Sequence, residues 1–535
     1  MLATIAASSS GPLLAQPGAA AAPSGSPAAE ATVVVETFRV AGNTLLDSNR
    51  IYAALAPFRG RRTLEELRRA ADAVQRLYAE AGYGGVVAFV PPQQGNEPGV
   101  VAIRVVEGKV STVRVLGARF HTEENVRASL PALQPGQTPR MRSLDTQIEL
   151  ANENPSKRVQ VLLRPGNQPG EVAADLTVVD RSPQSFSISV DDTGNDRTGK
   201  WRGSLGWQHG NVWGIDDVVS LQYQTSLTKP GQVAVASAFY RHPVPGSMLV
   251  WDGYVAYSDV DGGTRNTAAG SLSINGRGHL AGVRATWLLP RWREVDHRVS
   301  LALDRREYLN NCNIDGLPNE VCGAAGRDVA VTPLSLDYAL RGNVPFSWTL
   351  ALTALGNIVT TGSKVSAEDF AQQRPEAKQN FASFRLGSTA QTDWSDWQFR
   401  ARLALQWTKQ ALVTGEQFGL GGALSVRGYE EREVVGDKGA VGGLEISAPE
   451  FLTRASADEP SLRAFWFVDG GMVSNNFSSE CAAGQTRCSL LSTGLGLTFE
   501  RQRLQVRVAG AVALKESVFT KKNDKRAHVA ASLSF

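Results

Sequence analysis

The run Trp397-Gln398-Phe399-Arg400-Ala401-Arg402-Leu403-Ala404-Leu405-Gln406-Trp407-Thr408-Lys409 decides the fold. In an extended chain Trp397, Phe399, Ala401, Leu403, Leu405 and Trp407 share one face, and Gln398, Arg400, Arg402, Gln406 and Thr408 share the other. A soluble sandwich strand alternates in the same way, so length has to discriminate. The two tryptophans stand ten positions apart. At ~3.3 Å per residue and a tilt of ~40°, that interval advances about 25 Å along a membrane normal. This is the height of the apolar band between the aromatic girdles of an outer-membrane barrel.

The same alternation recurs from Ser185 to Phe535. It gives about sixteen segments, centred near Ile188, Leu205, Leu221, Ala236, Val255, Val283, Leu301, Leu336, Leu350, Leu386, Leu403, Ile446, Phe467, Leu495, Val508 and Ala531. An even count suits a closed bacterial barrel. The connections alternate as well. His242–Gly246, Asn343–Pro345, Trp394–Asp396 and Gln502–Arg503 are short turns. Gly262–Gly276, Asn310–Arg327, Thr360–Asn380 and Thr414–Gly439 are long loops. Short periplasmic turns and long surface loops are the pattern of such barrels.

Upstream, the pattern is different and duplicated. Phe38-Arg39-Val40-Ala41-Gly42 resembles Val113-Arg114-Val115-Leu116-Gly117 at an offset of 75, which also places Ile51 on Val126 and Leu55 on Leu130. Thr63-Leu64-Glu65-Glu66 is a capping box, in which hydroxyl and carboxylate satisfy each other's free backbone N–H groups. Leu64, Leu67, Ala71, Val74, Tyr78 and Ala81 follow as one apolar helical stripe, closed by Gly82. Strands Gly85–Val90 and Gly99–Val106 complete a β-α-α-β-β order. The second copy repeats it with Thr112–Leu116, helices Thr122–Leu130 and Ser143–Asn152, and strands Arg158–Leu163 and Glu171–Val179.

The fold class is therefore tandem N-terminal α+β domains followed by an all-β transmembrane barrel of about sixteen antiparallel strands. The expected boundaries are 1–32 for a signal-like segment and linker, 33–110 and 111–182 for the two α+β domains, and 183–535 for the barrel. Met1–Phe38 contains no Lys or Arg. Met1–Ala22 resembles the apolar and cleavage parts of a secretory signal, with Leu13-Leu14-Ala15-Gln16 as its cut, but lacks the positive n-region.

Composition excludes other classes. Lys+Arg number 55 against 52 Asp+Glu, a net charge of +3, which speaks against a nucleic-acid surface. No stretch approaches the ~18 apolar residues of a spanning helix. Gly194-Asn195-Asp196-Arg197-Thr198-Gly199-Lys200 fits a phosphate-loop spacing, but Trp201 replaces the required hydroxyl residue and a strand follows instead of a helix. It reads as a polar surface hairpin. The six histidines form no paired helical motif, and no nucleophile elbow is present. No enzymatic activity, cofactor or metal is expected. Four cysteines form two local pairs, Cys312 with Cys322 and Cys481 with Cys488. Strand parity puts both in surface-loop tips, as two disulfides.

A barrel this wide leaves a water-filled channel. Phe418–Gly443 reads FGLGGALSVRGYEEREVVGDKGAVGG. This glycine-rich sixth surface loop, about 410–441, can fold back to fill the channel. Its tip is Val426-Arg427-Gly428-Tyr429. Arg427 in a lumen needs an anion, and Asp469 in Phe467-Val468-Asp469-Gly470-Gly471 on the thirteenth strand suits a planar guanidinium. From spacing alone, Asp469 solvating the pore and Arg427 exposed on the loop stands as the alternative.

Taken together, Val33–Phe535 resembles the TpsB transporters of two-partner secretion, of the FhaC and hemolysin secretion/activation type, within the wider superfamily of BamA. The resemblance rests on two POTRA-type domains, the VRGY loop and the F-x-D-G-G strand. Gly442-Gly443-Leu444-Glu445 is similar to the family's twelfth strand. It implies that Arg427 contacts Asp469 in the lumen, beside Phe467 and Gly471. It implies that terminal Phe535 is a signal for insertion by the barrel-assembly machinery. It also implies POTRA-mediated capture of a secreted TpsA-type exoprotein and its ATP-independent export by a monomer embedded in outer-membrane lipid. If the first and middle strands of the second POTRA are its sheet edges, strand addition falls on Arg158, Val159, Gln160, Val161, Leu162 and Leu163. Met1–Ala31 offers no amphipathic plug helix of the kind family members carry, so either the plug is absent or an upstream start is missing. The runner-up is a barrel-assembly insertase. Two POTRA domains favour secretion, because assembly factors usually carry more, and a passive porin has no use for docking domains.

Overall fold

The computed structural model describes residues 32–535, apart from 94–96, 196–197, 261–263, 268–269, 274–275, 310–326, 453–458 and 478. Cys312, Cys322 and the signal-like segment lie outside the described residues. The chain forms two compact units, one made of residues up to Ala81 with Val86–Glu107, the other of Gly82–Gly85 with Gly108–Phe535.

The first unit holds strands β1 (Thr32–Val35), β2 (Thr37–Ala41), β3 (Gly60–Thr63), β4 (Val86–Phe89) and β5 (Val100–Glu107). Helices α1 (Ser48–Leu55) and α2 (Leu64–Glu80) lie between them in sequence. The sheet order is β2-β5-β4, with β2 parallel to β5. The duplication does not show the small β1–β3 pair. The capping box forms as expected, Thr63 Oγ1 accepting from Glu66 N at 3.2 Å and Glu66 Oε2 from Thr63 N at 2.8 Å. Leu67, Ala71, Val74 and Tyr78 are buried, but Leu64 is 55% exposed and Ala70 is buried in the stripe instead.

The second unit opens with the same order: β6 (Lys109–Leu116), α3 (Glu123–Ala128), α4 (Met141–Asn152), β7 (Lys157–Pro165) and β8 (Glu171–Asp180). The sheet order is β6-β8-β7, which makes β7 an edge strand. Val110, Val126, Leu130, Leu144, Val159 and Leu176 build its core.

Sixteen strands then close the barrel. They are β9 (Gln184–Asp191), β10 (Arg202–His209), β11 (Val218–Ser226), β12 (Ala234–Val244), β13 (Leu249–Val260), β14 (Gly276–Leu288), β15 (Val295–Leu309) and β16 (Pro333–Gly342). Then come β17 (Ser347–Asn357), β18 (Ala382–Trp394), β19 (Trp397–Trp407), β20 (Lys438–Ser447), β21 (Ser461–Ser474), β22 (Arg487–Arg501), β23 (Leu504–Ala513) and β24 (Lys525–Ser534). Every expected segment centre falls within its strand. Val329–Val331 continues β16 upward along β15. β24 returns to β9 from Ala530↔Asp191 to Ser534↔Ser187.

Alternation sorts the side chains. Leu205, Leu221, Val255, Val283, Leu403, Leu444 and Leu495 are exposed on the outside, where a bilayer covers them. Ser204, Ser220, Thr286, Ser300 and Ser492 are buried on the inner face. Among the described residues no helix is long and apolar enough to cross a membrane; the strands make the crossing.

Candidate functional site in the barrel lumen

The loop between β19 and β20 turns inward through a small hairpin, Phe418–Leu420 paired with Val434–Gly436. Its tip is held by contacts that converge from six strands, β19 to β24. Arg427 grips Asp469 with two parallel bonds, Nε to Oδ2 at 2.5 Å and Nη2 to Oδ1 at 3.0 Å, and its backbone N–H reaches Oδ2 at 3.3 Å. Its third nitrogen lies 3.1 Å from Glu445 Oε2 on β20. The guanidinium is stacked 3.5 Å above the centroid of the Phe467 ring. Asp469 is fully buried and Arg427 is 7% exposed, so this is a desolvated, bidentate pair.

The neighbouring motif residues explain themselves by space. Gly428 has φ +91°, and a Cβ there would meet Ala511 Cβ at 3.2 Å. Its N–H donates to His528 Nε2 on β24 at 3.1 Å. Val426 and Tyr429 are both fully buried and pack with Leu420, Val434, Val473, Leu490 and Ala513. The Tyr429 hydroxyl lies 2.9 Å from Leu491 O and 2.8 Å from Lys515 O. Gly471 gives room to the hairpin, since a Cβ there would sit 2.9 Å from Leu420 Cδ2.

Cys481 and Cys488 form the expected disulfide. The pair is not confined to a loop tip, however. Cys488 is the second residue of β22, and it is buried against the Tyr429 cluster.

The structure brings together more than the two motifs. Arg402 on β19 donates to Asp469 Oδ1 at 2.9 Å and to the carbonyls of Leu424 and Ser425. Arg507 on β23 pairs with Glu445 at 2.5 Å and lies 4.0 Å above the Phe465 ring. Nearer the surface, fully buried Glu416 is held by Arg306 and Arg385 at 2.9 Å each and by the Tyr308 hydroxyl at 2.7 Å. Glu433 accepts from the N–H groups of Phe519 and Thr520 at 3.0 Å. Sequence reasoning placed Arg402 on the polar face of β19 and quoted Glu445 without a role. Parity would have aimed both at the lumen beside Asp469.

These features match one family. The model for the haemolysin secretion/activation protein ShlB/FhaC/HecB matches residues 170–499, and that for the ShlB-type POTRA domain matches 33–108. This chain belongs to the ShlB/FhaC/HecB family. Among its relatives, the outer membrane transporter CdiB of Dickeya dadantii (strain 3937) is 24% identical over 83% of this chain and 76% of that protein. The heme/hemopexin transporter protein HuxB of Haemophilus influenzae (strain 86-028NP) is 23% identical over 85% and 77%. The solved CdiB from Escherichia coli has the same fold, with TM-score 0.78 at 19% identity, covering 96% of this chain and 93% of that one. Like its family, this chain is an outer-membrane transporter and not an enzyme, with its POTRA region in the periplasm.

The expected cargo edge has its own geometry. Along β7, alternate residues turn their backbone groups away from β8. Asn152 already occupies one of these positions, its side chain accepting from Val159 N at 2.6 Å and donating to Val159 O at 3.0 Å. Arg158 Nη1 donates to Asn152 O at 2.6 Å and Asn154 O at 2.9 Å. Gln160 and Leu162 turn their backbone groups to β8, which leaves those of Val161 and Leu163 facing the open side. At the other end of the chain, the ring of Phe535 is stacked on Phe186 with centroids 6.0 Å apart, and their backbones exchange bonds of 2.8 and 2.9 Å.

Proposed function

We propose that this chain captures a cognate exoprotein on its periplasmic domains and exports it through the barrel, without ATP, as a two-partner secretion transporter. One observation carries the reading: the lumen is occupied by a loop seated only by non-covalent contacts, ion pairs centred on Arg427, Asp469 and Glu416 and a small apolar cluster around Tyr429. Such a loop can yield to a passing chain and reseat. Val161 and Leu163 supply the free N–H and C=O groups that an extended cargo segment needs for strand addition. Relatives named as a heme/hemopexin transporter and hemolysin transporters support a secreted protein as the passenger. Phe535 serves recognition by the barrel-assembly machinery, and the barrel works as a monomer.

The test is co-expression with a candidate TpsA-type exoprotein from the same genome. Val161→Pro should lower capture of that protein's N-terminal secretion domain by the purified transporter, while the barrel keeps its heat-modifiable gel migration. Normal capture by that variant would move the docking site off β7. Secretion of the partner without this transporter would overturn the function.

A further inference from the structure

The junction between α4 and β7 is fastened to the barrel by a buried charge pair. Lys157, the first residue of β7, is 1% exposed, and its Nζ lies 2.6 Å from both carboxylate oxygens of Asp216. Asn125 Oδ1 accepts from the same ammonium at 3.2 Å. Asp216 stands in the turn between β10 and β11, held at φ +66°. Its N–H donates to Asn211 Oδ1 at 2.9 Å.

The contacts around this pair are of the same kind. Asn154 donates to Gly210 O at 2.6 Å, and Asn125 donates to Gly214 O at 2.7 Å. Glu153, which caps α4, meets Arg241 of β12 at 3.0 Å and Arg298 of β15 at 2.8 Å. A Cβ on Gly210 would lie 2.8 Å from Ser156 Oγ, so the turn runs directly against the junction.

A tether between two domains needs no buried ammonium, since inter-domain motion is the default. Removing a lysine from water is repaid only by close, well-formed pairing, which in turn demands one relative placement. That placement is fixed at the head of the strand whose open edge is the proposed capture site. Val161 and Leu163 follow four and six residues after Lys157, roughly 13 and 20 Å along the strand.

We propose that Lys157, paired with Asp216, is a positioning residue for transport: it pins the open edge of β7 to the periplasmic rim, so that a captured segment is presented to the lumen. The proposal rests on capture at β7, and its test separates the two. Asp216→Asn should leave binding of the exoprotein's N-terminal secretion domain unchanged while most export is lost, with the barrel still heat-modifiable. A disulfide between Ser156→Cys and Gly210→Cys should restore export in the Asp216→Asn background and leave it intact in the wild type. Full export by Asp216→Asn at matched outer-membrane levels would overturn the proposal. So would a wild-type background in which the locked disulfide blocks export and its reduction restores it, because the domain would then have to swing free. If Val161→Pro binds cargo normally, the capture site fails, and the joint is judged by the Asp216→Asn result alone.

Discussion

Arg402 and Arg427 share one carboxylate oxygen: Oδ1 of Asp469 accepts from Arg402 at 2.9 Å and from Arg427 at 3.0 Å. The lock on the loop tip is therefore a five-residue network, with Asp469 between Arg402 and Arg427 and Glu445 bridging Arg427 to Arg507.

This makes the two obvious substitutions unequal. Arg427→Ala leaves Asp469 paired with Arg402. Asp469→Ala leaves two guanidinium groups facing each other without the carboxylate they share, and only Arg427 keeps a carboxylate, Glu445. Breaking one partner of a buried pair typically costs about 3–5 kcal/mol, most of it from the charge left unpaired. Both variants should assemble as heat-modifiable barrels with poor export, and Asp469→Ala should export less than Arg427→Ala. Arg427→Lys should not rescue, because an ammonium cannot make the two parallel bonds or lie flat on Phe467. Secretion measured at matched outer-membrane levels checks the order; equal export by all three variants and the wild type would remove the site from the mechanism.

Gly428 carries a separate prediction. A side chain at its left-handed backbone costs roughly 1–2 kcal/mol, and here a Cβ also presses on Ala511 at 3.2 Å. Gly428→Val should unseat the tip even though every charged residue remains, with Gly428→Ala milder. The readout is external protease cleavage between Gly421 and Glu433. It should rise in Gly428→Val and fall back toward wild type in Gly428→Ala.

The second POTRA domain should loosen in mild acid. Burial pushes the His121 imidazole below its ordinary value of 6.5, assisted by the Lys157 ammonium and opposed by Asp180 and Asp216. As pH falls, the unfolded chain therefore takes up this proton before the native one does. The associated stability is complete above about pH 6.5 and is lost as pH drops from there toward the lowered native value. Asp180 contributes with the same sign at lower pH. Its native value is also lowered, with the N–H groups of Phe120, Arg119 and His121 outweighing desolvation. Protease resistance of residues 109–180 should decline as pH falls below about 6.5, and His121→Gln should flatten that decline. A His121→Gln profile parallel to wild type would assign the sensitivity elsewhere.

The barrel was legible because period two, girdle spacing and loop-length alternation are local signals repeated sixteen times, and each Trp397-like segment testifies independently. The duplicated βααββ units were legible for the same reason, down to the Thr63 capping box. What stayed hidden needed long-range geometry. Lys157 looks like an ordinary surface lysine until the turn holding Asp216 closes over it, and no pattern within β7 announces a partner 59 residues away. Asn152 covering the edge at Val159 is hidden in the same way. Leu64 shows the opposite failure, a residue in phase with the helical stripe that stays exposed in the fold.

Loop 6 has a second anchorage whose loss should differ in kind from loss of the tip. Glu416 sits at the root of the loop, fully buried, between Arg306 on β15 and Arg385 on β18, with the Tyr308 hydroxyl 2.7 Å away. Neither strand is among β19 to β24, which hold the tip, so the loop is seated on two sets of partners. Glu416→Ala removes the only carboxylate that Arg385 reaches among the described residues, and the two arginines then repel each other in a poorly solvated space. The root should swing off the β15–β18 wall while Arg427 keeps the tip on Asp469. That opens a passage without dismantling the seat used during transport. Glu416→Ala should therefore raise single-channel conductance in planar bilayers and sensitise cells to large antibiotics excluded by the outer membrane, with export largely retained. Arg427→Ala should show the converse weighting, with export lost first. If Glu416→Ala leaves conductance and antibiotic exclusion at wild-type levels, the root contact plays no part in closing the channel.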